Sequence, residues 1–182
     1  MMALNGQAYA VDLERLRAAF GSKDKQLLET MLERVAETYH FPEDDDVGME
    51  DQQRAITDII EGDCRAPRDM RPLHGYAIEA LCLYFGEVIP IPFDEIEIGD
   101  PADLDIESRL LGGALPIPVP EWSDTPYVRF LTPEQVSEGL DRVSGIDLSH
   151  DDPSIMEGRE FLLHQLNWAA DRRKAFVTVV NG

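Results

Sequence analysis

Residues 74–92, HGYAIEALCLYFGEVIPIP, constrain the fold more than any other stretch of this chain. Between Gly75 and Gly86 only one charged side chain occurs, Glu79. Tyr76, Ala77, Ile78, Ala80, Leu81, Cys82, Leu83, Tyr84 and Phe85 place apolar groups on every side of a helix. A helix that is apolar all round belongs inside a core. Gly86 is expected to stop it. The following Val88-Ile89-Pro90-Ile91-Pro92 is apolar but broken by proline, which cannot donate to a ladder. It is expected to form an edge strand or an extended coil.

The rest of the chain supplies elements to surround that helix. Residues 7–13 alternate as a short strand, and Asp12 can cap a helix reaching Phe20. Ser22 is the expected cap of a second helix to about His40, with Leu27, Leu28, Met31, Leu32 and Val35 on one stripe. Asp51 or Glu50 should open a third, to about Ile60. Tyr127 to Phe130 reads as a strand. Thr132-Pro133-Glu134-Gln135 is a strong helix start, with Thr as N-cap, Pro at the first helical position and Gln as capping-box partner. Asp152-Pro153 opens the last helix in a similar way, to about Lys174. AFVTVV, residues 175–180, is a β-branched strand. At 182 residues, folding should bury roughly 70% of the extended chain's surface. The expected fold is α+β: one compact domain over residues 1–182, with a small mixed or antiparallel sheet packed by about five helices around the buried central helix. Residues 43–51 and 94–120 are expected as surface loops.

Charge is the anomaly. Sixteen Lys and Arg face 36 Asp and Glu, for a formal net of −20. Such a field opposes nucleic-acid binding, which needs clustered cations against phosphate, and disfavours an anionic membrane surface. It would draw in a basic protein partner by long-range steering. No stretch approaches 18 uninterrupted apolar residues, so no membrane span is expected. The first residues lack the basic and apolar regions of a signal peptide. Cys64 and Cys82 match no metal or redox spacing. A reducing compartment is the better reading of them, with a Cys64–Cys82 disulfide left open. The cytoplasm is the expected location.

Two sets of residues carry a resemblance. Phe130-Leu131-Thr132-Pro133-Glu134-Gln135-Val136, the final amphipathic helix and the closing strand 176–180 resemble the C-terminal half of YfbM-like bacterial proteins of unknown function. Gly75-Tyr76-Ala77-Ile78-Glu79-Ala80-Leu81-Cys82, with Phe85-Gly86 and the opening Ala8-Tyr9-Ala10-Val11-Asp12, is similar to another set of uncharacterised bacterial proteins. The resemblance implies a compact α+β domain. It implies no catalytic residue, because these motifs are helix starts and core positions.

Candidate sites are few. Residues 43–51 carry six carboxylates and no base; residues 94–107 carry seven and no base. Asp44, Asp45, Asp46, Glu95, Glu97, Asp100 and Asp103 are the expected contacts of a basic partner. The plainer reading of such runs is a solvated loop. Glu43-Asp44-Asp45-Asp46 lacks the spacing of a calcium loop, and His150-Asp151-Asp152 reads as a turn ending in an N-cap, so no metal is expected. Arg65, Arg68 and Arg71 precede the central helix. They suggest either an anion pocket at its positive end or neutralisation of Glu61, Asp63 and Asp69, and the second is favoured. Glu79 is either a buried carboxylate or, more commonly for such a residue, one at the exposed edge or paired with an Arg such as Arg71. His164 reads as a rim or packing residue. No nucleophile elbow or glycine-rich phosphate loop occurs, and no cofactor is expected.

The functional expectation is therefore a non-catalytic acidic binding protein, of the kind an immunity or antitoxin protein would be, occluding a basic toxin. The alternatives are a small enzyme or ligand-binding domain with a pocket near Arg65 to Glu79, and an accessory subunit of a bacterial assembly. Oligomeric state is not legible.

Overall fold

The structure, a computed structural model, describes residues 5–38, 48–64, 71–90, 115–120, 126–145 and 153–181. The sheet explains why its strands read so differently in sequence. Four antiparallel strands, β1 (Asn5–Val11), β2 (Gly86–Val88), β3 (Tyr127–Leu131) and β4 (Ala175–Asn181), stand in the order β2-β1-β4-β3. The two central strands pair along their whole length, from Asn5 opposite Asn181 to Val11 opposite Ala175. Both faces of β4 are covered, so residues 175–180 are all buried. A strand buried on both faces reads as a continuous apolar run rather than an alternation. β2 and β3 form the edges.

Six helices cover the two faces. α1 (Leu13–Ala19), α2 (Lys25–Thr38), α3 (Met49–Glu61) and α4 (Leu73–Phe85) lie on one side. There Tyr9, Val11, Val128, Phe130, Val177 and Val179 point down from the sheet into a core with Leu16, Met31, Ile56, Ile59, Ile78 and Leu81. On the other side α5 (Pro133–Ser144) and α6 (Pro153–Asp171) pack Val136, Val143, Leu162 and Leu166 against Ala8, Ala10, Leu131 and Phe176. The period of two in each strand thus splits the molecule into two cores.

α4 is the buried central helix. Ten of its thirteen residues are buried, so nearly all of its surface is covered. Tyr76, Leu83 and Tyr84 are only partly buried and pack against the same core. It runs straight into β2 without a turn. Gly86 ends it in an extended conformation, φ −146°, not the left-handed one that usually stops a helix. Glycine is required there for closeness: a Cβ would lie 2.4 Å from the Ala10 carbonyl oxygen, 2.9 Å from that of Cys82 and 3.0 Å from the Val11 Cα.

Local chemistry set most other boundaries. Thr132 accepts from the Gln135 N–H at 3.3 Å while the Gln135 side chain accepts from the Thr132 N–H at 2.9 Å, a complete capping box. Asp12 caps α1 as expected. Two expectations are corrected. α2 is capped by Asp24, whose Oδ1 accepts from the Gln26 and Leu27 N–H groups, and not by Ser22. α3 is opened by Gly48, whose N–H donates to Asp51, so Asp51 sits inside the helix. Of the expected surface segment 94–120, only 115–120 lies within the described residues. Ile117 and Val119 there are buried, and Arg17 Nε donates to the Pro116 carbonyl at 3.2 Å. Residues 43–47 lie outside the described residues.

Replacing Gly86 by alanine should destabilise the fold by about 3 kcal/mol or more, because all three nearest atoms are backbone and cannot rotate away. Gly139→Ala, whose Cβ would meet only the Leu131 and Leu166 side chains at 3.6 Å, should be neutral or stabilise α5 by about 0.5–1 kcal/mol. Urea unfolding of the two variants measures both.

Candidate functional site

The polar groups that a reaction or a ligand would need are concentrated on α4 and what it touches. Glu79 is 7% exposed and Tyr9 2%. The Tyr9 hydroxyl donates to Glu79 Oε1 at 2.6 Å. β1 positions the ring, since Tyr9 alternates onto the helix-covered face; α4 positions the carboxylate in its second turn. Glu79 is buried, so the expectation of an exposed edge position is corrected, and one of its partners comes from the sheet.

His74, in the first turn of α4, is almost fully buried. Its Nε2 lies 3.7 Å from Asp58 Oδ2 on the last turn of α3, an ion-pair distance too long for a hydrogen bond. Neither ring nitrogen has a hydrogen-bond partner. Burial holds the imidazole below its ordinary pKa of 6.5, against the opposing pull of Asp58. Burial likewise raises the Asp58 carboxyl above 3.8, against the charges of His74 and Arg54. Gln52, a turn and a half earlier on α3, is fully buried with neither amide atom bonded.

The thiols are not activated. Cys64 and Cys82 are both free. Burial pushes Cys64 up to about 11, helped by Asp58 and Asp63. Burial also raises Cys82, with the Glu79 carboxylate adding to it. A nucleophilic cysteine needs the opposite shift. Among the described residues no group of three His, Cys, Asp or Glu is placed to hold a metal ion.

Of the residues singled out in the sequence, Arg71 is half-buried just ahead of α4, its Nε enclosed and unbonded. Arg65, Arg68, Asp44, Asp45, Asp46, Glu95, Glu97, Asp100, Asp103 and His150 lie outside the described residues. His164 is half-buried in α6, its ring centroid 6.2 Å from that of Trp168, in keeping with a packing role. Arg172 lies 3.7 Å over Trp168 and bonds Glu87 at 2.7 Å, tying the end of α6 to β2.

Two clefts among the described residues lie elsewhere. One of 440 Å³ opens between α1, α2 and the end of α4; one of 330 Å³ lies beside it, between Lys23, Leu28, Ile60 and Asp63. Arginines border the first: Arg15 stacks over Phe85 and Arg34 over Tyr84, each 5.0 Å from the ring centroid. Sequence reading passed over both. The only local signal was five cations in residues 15–34 of an acidic chain.

Removing the Tyr9 hydroxyl, Tyr9→Phe, leaves a buried carboxylate oxygen short of a donor and should cost about 1–3 kcal/mol in urea unfolding. His74 makes stability depend on pH. Its folded pKa lies below the unfolded value, so the unfolded chain takes up the proton first, and stability is lost as pH falls through about 6.5. Asp58, raised in the folded state, acts with opposite sign between 3.8 and its higher folded value. Urea midpoints should fall between pH 7.5 and 6, and His74→Gln should flatten that slope.

Comparisons with known proteins supplied a family and nothing finer. No curated protein and no solved structure matches the chain. A family model does, over residues 2–180, and the chain belongs to that family, described as a domain of unknown function (DUF7691).

Proposed function

We propose that this protein is a binding protein whose acidic segments engage a basic protein partner, as an immunity or antitoxin protein would cover a cationic toxin. The observation that carries this reading is how charge divides along the chain. The described residues hold 19 of the 36 carboxylates and 13 of the 16 lysines and arginines, which leaves 17 carboxylates and 3 arginines in the remaining segments. The described residues thus carry a net of −6 and the remaining stretches −14, so most of the excess sits in a few stretches. Asp44, Asp45, Asp46, Glu95, Glu97, Asp100 and Asp103 belong to those stretches and are the contacts proposed. A potential concentrated in this way steers a cationic partner and speeds its encounter.

The interior groups support a binding role over a catalytic one. Glu79 accepts from Tyr9, Asp58 faces His74, and both thiols are raised by burial. We take the protein to be bacterial and cytoplasmic. The free thiols support that location, and no described helix is long and apolar enough to cross a membrane. The kinship of the C-terminal half with YfbM-like proteins is part of the same reading; β3, the Thr132 box, α6 and β4 follow in the expected order.

The test is capture of a basic partner by the full chain at 50 mM and 500 mM salt, beside a variant carrying Asn or Gln at the seven acidic positions. Association with the native chain should slow about tenfold or more at the higher salt, and the variant should lose the partner. A partner held equally in both salts, or equally by the variant, would sink the proposal.

A further inference from the structure

The cleft between α1, α2 and the end of α4 is lined by one arginine and one carboxylate, in a chain where carboxylates outnumber cations 36 to 16. Its 440 Å³ lies within the range of small-molecule sites, about 300–1,000 Å³. Leu27, Ala18 and the Tyr84 and Phe85 rings form an apolar wall, the two rings edge to face with centroids 4.8 Å apart. Arg15 lines the cleft and stacks on Phe85; Arg34 stacks on Tyr84 behind it. Neither guanidinium forms an ion pair or side-chain hydrogen bond with another described residue. A guanidinium held over an aromatic ring can still present its N–H fork to a carboxylate.

The one carboxylate lining the cleft is already committed. Asp24 Oδ1 accepts from the Gln26 and Leu27 N–H groups, which turns that oxygen toward the start of α2, and Arg15 is the one cation of the described lining. Residues 15–34 hold five cations against three carboxylates, a local reversal of the overall sign. The rim is rigid. Gly21 and Lys23 donate their N–H groups to the Ile59 and Ile60 carbonyls, each at 2.9 Å. Lys23 is held at φ 55°, a conformation side chains disfavour and one that is found where surrounding structure enforces it. Gly21 and Gly62 meet so closely that a Cβ on Gly62 would lie 2.8 Å from the Gly21 Cα.

We propose that this cleft binds a small planar organic anion of the aryl carboxylate class, its carboxylate on Arg15 and its ring against Tyr84 and Phe85. Its lining includes none of the seven acidic positions named above. An aliphatic anion would satisfy the arginine but forgo the ring contact. A neutral aryl amide would do the reverse.

The test is a titration of the isotope-labelled full chain with benzoate, benzamide and acetate in 0.15 M salt, following the Arg15 Nε and the Tyr84 and Phe85 ring signals. Benzoate should give saturable shifts at all three residues and bind about tenfold or more tightly than either control. Arg15→Gln should weaken benzoate about tenfold and Arg15→Lys less, while the remote Arg142→Gln leaves it unchanged. Thermal midpoints read alongside show that each variant is folded, and Arg15→Lys carries the test if Arg15→Gln is not. Absence of saturable shifts, equal response to benzamide or acetate, or unchanged affinity in the Arg15 variants would each overturn the proposal.

Discussion

Helix α4 is apolar on every side, and it stays folded only where other elements remove all of its sides from water. The sheet takes one side through Tyr9, Val11 and Val177; α3 and α2 take the other through Ile56, Ile59 and Met31. Each buried Leu or Ile side chain in that contact is worth about 1.5–3 kcal/mol relative to exposure. The rest of the geometry follows. Because α4 passes straight into β2, its axis is fixed against β1, and only a residue without a side chain can stand at the junction.

Burial alone does not say how α4 is rotated about its axis. The hydrophobic effect is non-directional, and a helix with apolar groups all round loses little if it turns. Glu79 removes that freedom. A carboxylate in the core is costly unless it is bonded, and the Tyr9 hydroxyl meets it in one rotation of the helix. A single polar pair thus contributes uniqueness more than stability, as buried polar groups do in coiled coils. His74 and Asp58 hold the neighbouring helix more loosely, at 3.7 Å. Gln52 has no comparable account; its buried amide atoms are unbonded, and nothing in the structure explains them.

What could be read in advance was local. The Thr132 box, the apolar stripes of α3 and α5 and the β-branched run of β4 each act within a turn or two of chain, so their residues announce them. Ser22 is an equally good cap by local rules, but its Oγ accepts from the Asp24 N–H at 3.3 Å, while Asp24 Oδ1 takes the Gln26 and Leu27 N–H groups of α2. Glycine at position 86 is legible as a stop, but its reason is not, since two of the three atoms it avoids belong to β1, 75 and more residues away. Glu79 was ambiguous for the same cause: Tyr9 is 70 residues distant. The arginine stacks were missed because neither Arg15 nor Arg34 is near its aromatic partner in sequence.

The partition of charge links these observations. A net charge of −20 spread evenly would strain every layer through self-repulsion. Instead the packed framework holds 13 cations against 19 carboxylates, and its ion pairs join elements far apart in the chain: Asp12 with Lys174 at 3.5 Å, Glu87 with Arg172 at 2.7 Å. The backbone N–H of Arg15 and the charge of Lys174 hold the Asp12 carboxyl below its usual range, so that cap stays ionised well into acid. Within that framework the guanidiniums of Arg15 and Arg34 lie over aromatic rings, each 5.0 Å from the centroid. Where two arginines form no ion pair with any described carboxylate, an outside carboxylate meets little competition from the described residues.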